Sequence, residues 1–221
     1  MKLGYIVLHY TGMKTGAEAL ARLCDPQAKV SAHYAVDEDG RVFALVDEAQ
    51  RAWHAGKSFW RGVTDVNSAS VGIELVNPGH QFGYRAFPAA QIASLMELMR
   101  GIIARHAMNP ALCLLAHSDV APQRKEDPGE LFPWRELAAQ GLGLWPHPRA
   151  EDYGFAEDGE VQELLRAIGY ECPLSGAYDQ ETRAALLAFQ RHYHPENLTG
   201  TPESETVARM RAVRRQVAGI E

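Results

Sequence analysis

The chain has 221 residues, 46% of them apolar and 23% charged, with a formal net charge of -6. That balance is ordinary for a globular protein, and the length allows one large domain with a small one attached. No basic field is present, which excludes nucleic acid as an expected partner. No apolar run approaches the roughly 20 residues of a membrane span.

Leu3–Tyr10 is a short apolar run and predicts a buried strand. It is too short for the apolar core of an export signal. Thr15–Leu23 predicts a helix capped by Thr15. Ser31–Asp37 and Arg41–Asp47 flank Glu38-Asp39-Gly40 and predict a hairpin. Val71–Val76 predicts another buried strand. Pro88–His106 carries apolar residues at helical spacing behind an opening proline and predicts an amphipathic helix. Leu112–Ala116 predicts a strand, and Pro133–Gln140 a short helix. The fold class that follows is α/β, a mixed β-sheet flanked by helices.

Two prolines and no apolar periodicity mark Gly143–Asp152 as a linker. Beyond it, Glu160–Ile168, Asp179–Tyr193 and Glu203–Val217 have helical spacing and predict a small all-α three-helix domain. A repeat runs through it: Gly176, Asp179, Glu181 and Thr182 recur as Gly200, Glu203, Glu205 and Thr206. The acid of each unit suits the start of a helix. The domain plan is 1–145, linker 146–156 and 157–221. Cys24, Cys113 and Cys172 are too few and scattered for a disulfide framework and are read as free thiols.

Phosphate-binding, nucleophile-elbow and HExxH signatures are absent. His9 ends the first strand, His117 follows the Leu112–Ala116 strand, and Asp127 lies ten residues further in a proline-flanked loop. Two imidazoles and a carboxylate can occupy three corners of a tetrahedron and leave the fourth for water, the pattern of a catalytic zinc site. Asp119 competes with Asp127 for the carboxylate position. Glu74 is an acid within an apolar strand, where burial raises its pKa and suits it to general-base work. Lys125 is placed to meet a developing oxyanion.

Four stretches then carry a resemblance: IVLHYTG (6–12), VSAHYAVDEDGRVFALVDEAQRAWHAG (30–56), NSASVGIELVNPG (67–79) and LLAHSDVAPQRKEDPG (114–129). Residues 1–145 resemble the type-2 N-acetylmuramoyl-L-alanine amidases of the AmpD- and AmiD-like branch, a zinc family related to the peptidoglycan-recognition proteins. The resemblance implies Zn2+ on His9, His117 and Asp127, and so selects Asp127 rather than Asp119. It implies Glu74 and Lys125 as catalytic residues. Trp53 and His54 match a segment near the substrate cleft, and His33 a position that supports it; these three are the substrate-binding candidates. The implied reaction is hydrolysis of the amide between N-acetylmuramic acid, or its 1,6-anhydro form, and L-alanine, with peptidoglycan or muropeptides as the partner. The alternative is a recognition protein without catalysis. Residues 161–194 resemble the three-helix peptidoglycan-binding domain. Without an export signal the chain as written is expected in the cytoplasm; a wall-binding tail makes the periplasm the alternative. The sequence leaves the oligomeric state open.

Overall fold

The structure, a computed structural model, describes residues 3–220. A five-stranded sheet with the order β3-β2-β4-β1-β5 forms its centre. The strands are β1 (Tyr5–Tyr10), β2 (Tyr34–Val36), β3 (Val42–Ala44), β4 (Ser70–Leu75) and β5 (Leu114–Ala116). All neighbours run parallel except β2 and β3, the hairpin. The sheet is mixed, as expected. Both hairpin strands are shorter than their sequence runs. Gly40, at φ 90°, makes the turn in a conformation that a side chain resists.

The helices are α1 (Gly16–Leu23), α2 (Val66–Ala69), α3 (Gly79–Phe82), α4 (Ala89–His106), α5 (His117–Val120), α6 (Trp134–Ala139), α7 (Asp158–Ile168), α8 (Gln180–Tyr193) and α9 (Ser204–Ile220). Thr15 caps α1 by accepting from the Glu18 N–H, and Pro88 stands just before the first turn of α4. α2, α3 and α5 were not foreseen. Each is four residues long, about one helical turn, so it shows no apolar period.

Alternation along β1 sorts the core. Ile6 and Leu8 join Val71, Ile73 and Leu75 against Ile92, Leu95, Met99 and Ile102 of α4. Val7 and Leu115 belong to the opposite face, in one continuous apolar cluster with Val161, Leu165, Phe189 and Val213 of the C-terminal helices. Those helices therefore close the second face of the sheet. The segment read as a linker is tied down as well: Asp152 pairs with Arg215 at 2.6 Å, and the Gln216 side chain donates to the Trp145 carbonyl.

The repeat has a structural purpose. Gly176 N–H donates to Gln162 Oε1 at 2.9 Å, and Gln162 Nε2 donates to Thr182 Oγ1 and the Ala177 carbonyl. Gly200 N–H likewise donates to Gln190 Oε1, and Gln190 Nε2 to Thr206 Oγ1 and the Thr201 carbonyl. One fully buried glutamine thus satisfies each turn-to-helix unit. Among the described residues no helix is long and apolar enough to cross a membrane.

Candidate metal centre and catalytic cleft

Parallel pairing places functional side chains at one edge of the sheet. His9 and Glu74 are register partners at the carboxyl ends of β1 and β4. His117 follows the last residue of β5 and opens α5. Open sheets with parallel strands bind ligands at this edge. The loop through Lys125 and Asp127 returns to it, fastened by Ser118 N–H donating to the Asp127 carbonyl.

His9, His117 and Asp127 meet there. Their donor atoms lie within 4.8 Å of one another, and all three residues are buried. His9 Nδ1 and His117 Nδ1 are 2.8 Å apart, and Asp127 Oδ2 is 3.1 and 3.0 Å from them. The surrounding hydrogen bonds assign the tautomers. Ser70 Oγ donates to the Val66 carbonyl at 2.6 Å, so its oxygen accepts from His54 Nε2–H at 3.4 Å. His54 Nδ1 then accepts from His9 Nε2–H at 3.1 Å, which leaves His9 Nδ1 a bare lone pair. His117 Nε2–H donates to the Ala55 carbonyl at 3.2 Å, which leaves its Nδ1 bare too. Arg124 donates to the same carbonyl and to that of Lys57.

Three acceptors therefore converge with no proton between them, and a shared cation is what such a set fits. Burial and the neighbouring His117 pull the His9 imidazole down to about 4, so it is neutral at neutral pH. His54 is held well below its ordinary value by burial and then by the other imidazoles. Two imidazole nitrogens and one carboxylate oxygen suit a divalent transition metal better than calcium or magnesium.

Glu74 stands beside this group, partly exposed to the cleft. Its Oε2 is buried with no hydrogen-bond partner. Burial, and then the charge of Asp127, raise its pKa well above the usual carboxylate range, opposed by Lys125. Lys125 and the half-exposed Trp53 line the same cleft of about 710 Å³.

Two of the substrate-binding candidates support the site from where the resemblance puts them and do not present a free group to substrate. His54 reaches the cleft, but its nitrogens are engaged by His9 and Ser70, so it orients a candidate ligand. It lies over Gly72, where any Cβ would overlap its ring. His33 is fully buried and does not line the cleft. It accepts from Gly72 N–H and donates to the Gln50 carbonyl, so its place is behind His54 and not against substrate. Asp119, the competing carboxylate, turns away: it accepts from Ala116 N–H, Tyr170 Oη and His192 Nδ1. Sequence reasoning missed Tyr10, His80 and Glu126, which line the cleft and contact one another, and the α8 residues Arg183 and Arg191. Apolar spacing gives no hint of them.

Residues 1–130 match the N-acetylmuramoyl-L-alanine amidase family, and residues 156–210 a putative peptidoglycan binding domain. The chain is 38% identical to N-acetylmuramoyl-L-alanine amidase AmiD of Escherichia coli (strain K12) over 227 aligned residues, covering 94% of this chain and 80% of the relative. The solved complex of that E. coli amidase with anhydro-N-acetylmuramic acid-L-Ala-D-gamma-Glu-L-Lys superposes with a TM-score of 0.86 at 36% identity, covering 98% of this chain and 90% of the other. The crystal structure of AmpDh3 from Pseudomonas aeruginosa gives 0.88 at 32%, covering 99% and 93%. With its main segment, its helical tail and nearly its whole length matched, the chain belongs to the N-acetylmuramoyl-L-alanine amidases.

Proposed function

We propose that the protein hydrolyses the amide joining N-acetylmuramic acid, or its 1,6-anhydro form, to the L-alanine of peptidoglycan or a muropeptide, with Zn2+ held by His9, His117 and Asp127. Residues 1–145 are the catalytic unit in this reading and 157–221 the peptidoglycan-binding unit. The observation that carries it is the convergence of two imidazole Nδ1 atoms, 2.8 Å apart, on the buried Asp127 carboxylate.

His9, His117 and Asp127 would hold the zinc, and the chemistry it would supply there is Lewis acidity. Glu74 takes the proton of the attacking water as the C–O bond forms. Its raised pKa makes it a stronger base toward that proton than an ordinary carboxylate. The Lys125 ammonium neutralises charge gathering on the carbonyl oxygen. When the C–N bond breaks, Glu74 returns the proton to the alanine nitrogen, releasing peptide and sugar. Trp53, at the mouth, offers an aromatic face to the sugar or the peptide.

The test is Glu74→Gln. Zinc content should stay at one per chain while peptide release from an anhydro-muropeptide falls roughly 10²–10⁴-fold. Normal turnover by the variant would remove the base. A wild-type protein that binds zinc and muropeptide but releases no peptide would be a recognition protein instead.

A further inference from the structure

The C-terminal unit supplies a wall of the catalytic cleft. Gln180, Arg183, Ala184, Leu187 and Arg191 line the same cavity as His9, Glu74 and Asp127. Positions i, i+3, i+4, i+7 and i+11 form one face of α8, about 16 Å long at 1.5 Å per residue. The other side of the helix, with Ala185 and Phe189, is fully buried. His192, next to Arg191, is fixed to Asp119 of the catalytic domain at 2.7 Å. This wall is therefore held in place rather than hung on a tether.

Its charge is out of step with the chain. The net charge is -6, yet Arg22, Lys125, Arg183 and Arg191 all face the cleft. Of the acids there, Glu74 has Lys125 as the cation acting on it, and the other two have nearer company than the arginines. Asp127 meets two imidazoles, and Glu126 faces Tyr10 and His80. Arg191 has a buried Nε with no partner and pairs with no acid among the described residues. Arg183 makes one long bond, 3.3 Å, to the Thr199 carbonyl. Neither guanidinium is saturated by protein acceptors among the described residues, so both have N–H groups to offer a ligand in the cleft.

We propose that Arg183 and Arg191 form a carboxylate-binding subsite for the stem peptide, so that the C-terminal unit selects substrate inside the active site. The proposal rests on the amidase reading. A γ-linked glutamate keeps its α-carboxylate free, and the last residue of the stem carries another. Each offers two oxygens to the planar fork of an arginine. Ala184 and Leu187, between the two arginines, present an apolar strip to the aliphatic part of the stem.

The experiment compares anhydro-N-acetylmuramic acid-L-Ala-D-γ-Glu-L-Lys with the same compound amidated at both carboxylates. Turnover is measured for zinc-loaded wild type and for Arg183→Gln, Arg191→Gln and the double variant. Calorimetry measures binding of the free tripeptide and of its diamide. Wild type should prefer the carboxylate form roughly ten- to a hundredfold in kcat/KM, carried by KM, as charged hydrogen bonds of this kind allow. The double variant should lose that preference and keep its zinc. Arg191→Lys, which retains the charge without the fork, should recover part of it and covers the case of a misfolded glutamine variant. An equal preference in the double variant, or none in wild type, overturns the subsite. A protein that binds the tripeptide with the expected preference but cleaves neither compound refutes the amidase reading and leaves the subsite standing.

Discussion

Asp119 and Asp127 lie eight residues apart, both buried and both facing imidazole, yet they do opposite work. Asp119 meets protons on every side: Ala116 N–H, the Tyr170 hydroxyl and His192. Its needs are met within the protein, and it fastens the C-terminal helices to the turn that carries His117. Asp127 meets two nitrogens whose protons are committed elsewhere, one to His54 and one to the Ala55 carbonyl. Residue type does not separate a fastening from a metal site. Where the protons point does.

Removing each carboxylate sharpens the contrast. Asp127→Ala should abolish zinc retention and lower turnover by roughly 10³-fold or more, as loss of metal chemistry implies. Its apo-form melting temperature should change little, because relief of the crowded acceptors offsets the lost contacts. Asp119→Ala should do the reverse. Three buried donors lose their acceptor, which costs roughly 3 kcal/mol or more. Limited proteolysis in 146–156 should accelerate as the helices loosen. Equal stability loss in both variants would erase the distinction.

The tautomer relay is the next point at which the comparison can be broken. If Ser70 and His54 fix the proton on His9 Nε2, then His54→Ala should weaken zinc binding by roughly 10–100-fold while leaving all three ligands in place. Competition with a chromogenic chelator reads this directly. Unchanged affinity would mean that His9 selects its tautomer without help, and the argument from bare lone pairs would rest on His117 alone.

Part of this was legible in the sequence. Strand ends can be read from short apolar runs, so His9 and His117 could be placed at one sheet edge before any coordinates, whereas Glu74 read only as an acid inside a strand until the register paired it with His9. Choosing Asp127 over Asp119 needed family resemblance, because the partners that occupy Asp119 are 51 and 73 residues away in the chain. The tail reads as helices from its spacing, but periodicity says only which face is apolar. It cannot say that the polar face of α8 fronts a cleft in another part of the chain. Gln162 and Gln190 were invisible for a similar reason: a buried amide at the edge of an apolar run resembles a surface residue until its turn is folded over it. His33 failed as a substrate contact because the motif SAHY marks where it lies and not how far the cleft reaches.

The saturated kind of carboxylate has another example, and it gives the smallest expected effect. Glu48 accepts from Tyr34 Oη at 2.6 Å and is flanked by Arg105 and His106. Burial alone would raise its pKa, but these donors outweigh that and bring it down to about 2, from an ordinary value of 4.5. A carboxyl whose folded pKa is depressed adds stability that is fully present above the unfolded value and vanishes as pH falls through the folded one. Glu48→Gln should therefore be less stable than wild type at pH 6, by about 2 kcal/mol or less after solvent screening. The gap should close between pH 4.5 and about 2, read as the difference between the two melting curves. A gap that stays constant across that window would assign the loss to packing of the side chain, and saturated carboxylates in this fold would then act through shape instead of charge.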